Sequence, residues 1–293
     1  MADTKTIPLE HIIQNETLQA MPQSAVQLLE ISQQEDVGPN ELATPIESDP
    51  GLAAQVLRFV NSSYFGFSRK ISSIPLAINL VGFKTIKNFT LWNALYSMIP
   101  NPNCDGFDLR CLWQDSLRRA VFGRMFAHHC GLDTAEEVFA GALMQDMAVP
   151  MLINAQPRAY LDLLARSVGE SRRLSDLERE VFGWDHAEIG ALCCEKWNFP
   201  SNLVEMIRHH TRPASTFEAT DANRVISVCS LLPSVSSDSW DEKGRMQTTM
   251  RRLLPNVRLA QLFERTDSEF AKLAPSINMT ADCKPLMEWL DEE

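Results

Sequence analysis

Residues 140–152 read AGALMQDMAVPML and set an amide and a carboxylate, Gln145 and Asp146, side by side in an apolar segment. Further candidates are Asp115 in LWQDSLRRA, His186 in WDHAEIG, and the pair His209-His210 in IRHHTRP. Carboxylate oxygens and imidazole nitrogens are the ligands that divalent transition metals take. The Gln-Asp pair is therefore compatible with a metal site, with the remains of one, or with ordinary polar residues at the edge of a core.

The elements that must position these groups read as helices, whose positions i, i+3, i+4 and i+7 share a face. His186 falls in register with Ile189, Gly190, Cys193 and Trp197, so it points inward. His210 shares the face of Leu203, Met206 and Ile207, while His209 sits roughly 100° round the helix, nearer the rim. Gln145 continues the face of Val138 and Ala142, and Asp146 that of Phe139 and Leu143. Asp115 lies among Cys111, Leu112 and Phe122, within reach of Arg118 or Arg119 on its own helix. An unpaired buried polar group costs about 1–3 kcal/mol, so each of these must find partners. A shared cluster is one solution; separate bonds to backbone or water are the other. His11 lies near a terminus, and His128 and His129 close a helix, where positive charge suits the dipole.

Around these positions the chain is almost entirely helical in pattern. SAVQLLEI (24–31), ELATPIES (41–48), the segment after Ser48-Asp49-Pro50, SSIPLAINL (72–80) and TIKNFTLWNALYSMI (85–99) give five short helices. Asp49 is read as a cap and Pro50 as a first-turn proline. A long helix follows from Asp108 to Cys130 and stops at Gly131. Thr134 to Glu137 has the form of a capping box, and Pro150 is expected to kink or end the helix it opens. Asp185 to Glu188 reads as another N-cap. VISVCSLLPSV is one more apolar helix, SSDSWDEKGRMQ (236–247) a polar linker, and the remaining tail is helical. The fold class is all-α. The expected divisions are 1–105, an N-terminal five-helix subdomain; 106–235, a second helical subdomain carrying the polar cluster; and 236–293, a linker with a C-terminal helical extension. There is no internal repeat.

The 293 residues are 45% hydrophobic and 22% charged, an ordinary globular composition. No apolar run is read as reaching the roughly 18–20 residues that cross a bilayer, and MADTKTIPLE lacks a signal-peptide pattern. A cytoplasmic protein without a membrane partner is expected. Seven cysteines with no CxxC pair favour reduced thiols over disulfides or structural zinc. The net charge of −11 argues against DNA or RNA as partner. The basic pairs Arg118-Arg119, Arg172-Arg173 and Arg251-Arg252 are read as solvated helix faces. No GxxxxGK or GxGxxG run offers a phosphate cradle.

MPQSAVQLLEI, ELATPIESDPGLAAQVLRFVNSSYFG and ISSIPLAINLVGFKTIKNF, taken in order, resemble the HD-related output domain (HDOD) family. LWQDSLRRA, FAGALMQDMAV, WDHAEIGALCCEKWNFP and IRHH continue the resemblance, which covers roughly residues 13–235. It implies a helical fold of the HD-domain phosphodiesterase type. HD phosphohydrolases hold metal with a His, a His-Asp pair and a later Asp, and by resemblance these fall on Asp115, Gln145-Asp146 and Ser230. Only Asp146 keeps a ligand identity; an amide is a poor substitute for imidazole, and a hydroxyl for carboxylate. His186, His209 and His210 stand where relatives acting on cyclic dinucleotides carry further metal-site histidines. The resemblance thus implies a degenerate site of Asp115, Gln145, Asp146, His186, His209, His210 and Ser230, with no cofactor. If any metal is held, the set would be Asp115, Asp146, His186 and His210.

Three functions follow. The leading expectation is a non-catalytic bacterial signal-transduction module, not fused to a receiver, kinase or cyclic-dinucleotide domain. It would act through signalling proteins or a ligand-responsive pocket. The second is a metal-dependent phosphohydrolase acting on a nucleotide or cyclic dinucleotide through a rearranged site. The third is a pseudoenzyme that binds a nucleotide or other small ligand without turnover.

Overall fold

The computed structural model describes residues 23–32, 34, 37–218 and 221–291. His11, and Pro22 ahead of the first helix, lie outside them. Every regular element among the described residues is helical, so the all-α expectation holds.

The first five helices are α1 (Gln23–Ser32), α2 (Pro39–Glu47), α3 (Pro50–Val60), α4 (Ile74–Val81) and α5 (Phe83–Met98). Their apolar stripes meet around Leu28, Leu42, Ile46, Val56, Phe59, Ile78, Ile86 and Phe89, all buried. Asp49 caps α3 as expected: its Oδ1 accepts from Leu52 N at 3.0 Å, with Pro50 in the first turn. Asn61, in the NSSYF stretch, acts as a clamp. Its amide donates to Leu57 O and Ile71 O (2.7 and 2.8 Å), and its Oδ1 accepts from Ile71 N at 2.8 Å. It thereby fixes the start of ISSI against the end of α3. Gly82 joins α4 to α5 at φ +102°, a conformation that residues with a Cβ rarely adopt.

The central element is α6 (Leu109–His129), capped by Asp108, whose Oδ1 accepts from Arg110 N at 2.8 Å. It is buried over most of its length and ends at Gly131 with φ +72°. Around it stand α7 (Ala135–Met144), α8 (Ala148–Ala155), α9 (Pro157–Gly169), α10 (Leu174–Phe182), α11 (His186–Lys196), α12 (Ser201–His209) and α13 (Ala222–Cys229). The chain closes with α14 (Lys243–Leu253), α15 (Leu259–Leu273) and the short α16 (Leu286–Asp291). The five-helix group joins the rest where α5 meets α7. There Asn88 donates to Glu136 O at 2.9 Å and Lys84 pairs with Glu137 at 2.8 Å. The C-terminal segment packs on α6: Gln114 donates to Thr280 O at 2.8 Å and Arg118 to Lys284 O at 3.1 Å.

Several local expectations need correction. Thr134 makes no side-chain cap, because its backbone (φ −97°, ψ 23°) is not extended and Glu137 is drawn to Lys84 instead. Pro150 does not end a helix. The break lies earlier, at the Gln145–Met147 turn, and Pro150 occupies the first turn of α8, where its missing N–H costs nothing. The helix expected over 225–235 stops at Cys229. The supposed linker 236–247 is shorter, since α14 begins at Lys243 and the Trp240 indole donates to Leu231 O at 2.8 Å. Arg118 is not solvated: it is 1% exposed and donates to Pro233 O as well as Lys284 O. The stretch Ala135–Ala155, spanning α7 and α8, is long and apolar enough to cross a bilayer, contrary to expectation, but most of it is buried in the core. All seven cysteines are free.

Candidate functional site

The break between α7 and α8 places Gln145 and Asp146 in a turn, freeing both side chains from a helical face to point toward α6, α11 and α12. Asp146 Oδ2 accepts from Arg119 Nη1 at 2.5 Å and from Gln145 Nε2 at 3.1 Å. Asp146 Oδ1 lies 3.4 Å from His186 Nε2 and 3.2 Å from His210 Nε2, and the two Nε2 atoms are 3.1 Å apart. His186 comes from the first residue of α11, which Asp185 caps by accepting from Glu188 N at 3.0 Å. His210 follows the last turn of α12.

The outer ring nitrogens determine the tautomers. His210 Nδ1 is 2.6 Å from Ile207 O, and His186 Nδ1 is 2.6 Å from Glu178 Oε2. Both oxygens only accept, so both Nδ1 atoms carry protons. The Nε2 positions and Asp146 Oδ1 therefore converge as three acceptors unless a cation or a proton lies among them. Glu178 is fully buried and also accepts from the His186 backbone N–H at 2.9 Å and from the Tyr160 hydroxyl.

The charges follow from this arrangement. Burial works against an imidazolium at His186, but the Glu178 and Asp146 carboxylates outweigh it and raise its pKa to about 10. An imidazolium at His186 would carry its second proton on Nε2, between His210 and Asp146. Burial likewise disfavours the Asp146 carboxylate. Arg119 and the two histidines overcome that and hold it well below the usual carboxylate range. Burial and the Glu178 carboxylate push the Tyr160 phenol well above its ordinary value, so it stays a donor.

Of the sequence-derived set, Asp146, Gln145, His186 and His210 meet in one place. Asp115 lines the same cavity but is engaged elsewhere, accepting from Ser234 Oγ at 2.5 Å and Val235 N at 2.7 Å, with Arg118 at 3.6 Å. Ser230 accepts from Arg173 Nη2 at 2.8 Å and donates to Ser227 O at 2.8 Å. His209 turns away and pairs with Glu205 at 3.0 Å. The reading of Arg119 and Arg173 as solvated is corrected: both are mostly buried, the first against Asp146 and the second beside Ser230. Sequence reasoning passed over Arg119 as a site residue, and over Glu178 and Tyr160. The Glu178 signal was present: it shares the apolar stripe of Leu174, Leu177, Val181 and Phe182, where a carboxylate must be partnered.

A cavity of about 1020 Å3 opens over this network, with Leu161, Leu164 and Leu174 on its apolar side. Three buried polar atoms of its lining residues have no protein partner: Gln145 Oε1, Ser175 Oγ and Arg119 Nε. Such orphaned atoms are costly unless water or a ligand reaches them.

A metal can be tested against this geometry. Ligands about 2.1 Å from a tetrahedral ion stand roughly 3.4 Å apart. The Asp146, His186 and His210 atoms are separated by 3.1–3.4 Å, and both imidazoles have the outer-ring partners typical of metal-bound histidine. These three residues fit a divalent ion as a ligand set. The Arg119 guanidinium, bonded to the same carboxylate, does not favour one.

The HDOD domain model matches residues 18–213. The chain belongs to the HDOD family. An uncharacterized protein of Treponema pallidum (strain Nichols) is 26% identical over 201 residues, which is 66% of this chain. The chain spans only 38% of that relative's length. The solved structure of an HDOD domain protein of unknown function from Geobacter sulfurreducens is similar at 19% identity and TM-score 0.67. The match covers 89% of this chain and 92% of that one. A provisionally named phosphohydrolase from Shewanella amazonensis SB2B is similar at 21% identity and TM-score 0.72, over 94% and 99% of the two chains. A provisionally named signal transduction protein from Marinobacter aquaeolei VT8 matches at 20% identity and TM-score 0.69, over 89% of this chain and 60% of that one. At these identities the structures establish the shared HD-like helical fold alone.

Proposed function

We propose that this HDOD protein is a non-catalytic regulatory module of a bacterial signalling system, which acts through a protein partner or through a small ligand in the cavity above Asp146. The observation that carries this reading is the Arg119–Asp146 pair. Arg119 is bonded to Asp146 Oδ2, so a permanent cation already meets the charge of the carboxylate whose other oxygen, Oδ1, faces the two imidazoles. Asp115 and Ser230, which resemblance aligns with the other ligand positions, are bonded to Ser234, Val235 and Arg173 instead. A cytoplasmic setting and signalling partners belong to the same proposal. Purified protein assayed with phosphodiester substrates and added manganese tests it: no turnover is expected, and turnover abolished by Asp146→Ala would overturn it.

A second reading, a metal-dependent phosphohydrolase, is favoured by one specific observation, the convergence of three acceptor atoms at 3.1–3.4 Å. In that case Asp146, His186 and His210 would hold the ion, which when bound would supply a water of lowered pKa for hydrolysis. Glu178 and the Ile207 carbonyl would orient the two rings, and Arg119 would have to give up Asp146.

A further inference from the structure

A second, smaller cleft of about 440 Å3 is walled by Arg173, Arg179, Arg208, Arg212 and Arg245 with Thr211 among them. Five arginines facing one cleft run against the trend of a chain whose net charge is −11. Three carboxylates share the wall, Asp176, Asp185 and Glu188. They do not neutralise the five evenly. Arg179 is bound to Asp176 and Asp185 and to the Thr211 hydroxyl. Arg208 is bound outside the cleft, by Glu195 and Glu205, and Arg245 lies 3.5 Å from Glu242. Arg212 is exposed and makes no side-chain hydrogen bond or ion pair among the described residues, with the Glu188 carboxylate acting on it only at longer range. Arg173 makes a single hydrogen bond, to Ser230, with Glu242 at 3.8 Å. Two guanidiniums on different segments thus face one cleft with donors to spare, and guanidinium donors match phosphate oxygens in geometry and charge.

Arg173 and Thr211 line both this cleft and the larger cavity, so the two compartments meet at those residues. We propose that the arginine cleft is an anion subsite that takes the phosphate or diphosphate group of a small organic phosphate. The body of that ligand lies in the larger cavity, against Leu161, Leu164 and Leu174. The cleft shares no arginine with the Asp146 network, and the placement of the ligand body rests on the small-ligand reading of the larger cavity proposed above.

Inorganic pyrophosphate is the probe. Calorimetric titration at fixed ionic strength should show saturable binding, weakened roughly tenfold or more by Arg212→Ala and by Arg173→Gln. Arg251→Ala, an exposed arginine away from the cleft, should bind as the wild type does. Because Arg212 holds no other side chain by hydrogen bond or ion pair among the described residues, its variant should melt as the wild type does. Arg212→Ala therefore decides the question even if Arg173→Gln fails to fold. No saturable pyrophosphate binding by the wild type overturns the proposal. So does wild-type affinity in Arg212→Ala, or an equal loss in Arg251→Ala.

Discussion

Arg119 Nη1 lies 2.5 Å from Asp146 Oδ2, on the opposite oxygen of the carboxylate from the one that faces the His186 and His210 Nε2 atoms. The two sides of one carboxylate are thereby given to a permanent cation and to a pair of imidazoles. Arg119→Met separates these roles. Removing one partner of a buried pair leaves an uncompensated charge, and the variant should lose about 3–5 kcal/mol of stability in denaturant melts. Added Mn2+ or Zn2+ should restore part of that loss in the variant and leave the wild type unchanged. Equal metal response in both proteins would show that the guanidinium is not what excludes an ion.

Glu178 is the hidden support of the network. It has no exposed surface and holds the His186 ring, the His186 backbone and the Tyr160 hydroxyl together. Glu178→Ala should cost about 3–5 kcal/mol, more than an exposed carboxylate such as Glu264, whose removal should change stability by about 0.5 kcal/mol or less. Matched urea midpoints for the two variants would contradict the assignment.

The His186 ring should still be charged at pH 8. Its folded-state pKa is raised to about 10, above the ordinary value of 6.5. Its contribution to stability is therefore complete below about pH 6.5 and lost as pH rises through about 10. NMR of the ring Cε1–H across pH 6–10.5 measures this directly. A midpoint near 6.5 would mean that Glu178 and Asp146 do not govern the ring.

Gly123 sits where α6 packs closely on α7 and α13. A Cβ there would stand 2.8 Å from Cys229 Sγ and 3.1 Å from Val138 Cγ1. Gly123→Ala should destabilise the protein by about 1–3 kcal/mol through overpacking. Gly244, where a Cβ meets nothing within 4 Å, is the control, and its alanine variant should be neutral or slightly stabilising. Thermal melts that rank them the other way would contradict this packing.

How far the sequence disclosed this depended on the length scale of the signal. Helix faces and caps such as Asp49, Asp108 and Asp185 are set by neighbours within a few residues, and periodicity found them. The inward pointing of His186 and His210 was legible for the same reason. Thr134 failed because a capping box also needs extended backbone at the cap, which its residue types do not encode. Arg119 and Arg173 were misjudged because adjacent arginines look alike in sequence. Only the approach of Asp146 and Ser230, 27 and 57 residues away, distinguishes them. The departure of Asp115 to Ser234 and Val235 is likewise a long-range event, 119 and 120 residues along the chain.

The central claim is that Asp146 serves Arg119 and the histidines rather than a catalytic ion. Elemental analysis of protein purified without chelator, run beside Asp146→Ala/His186→Ala, tests it most directly. Far less than one Mn, Fe or Zn per chain is expected in the wild type, with no difference in the double variant. One tightly held ion per chain, lost in the double variant, would contradict it.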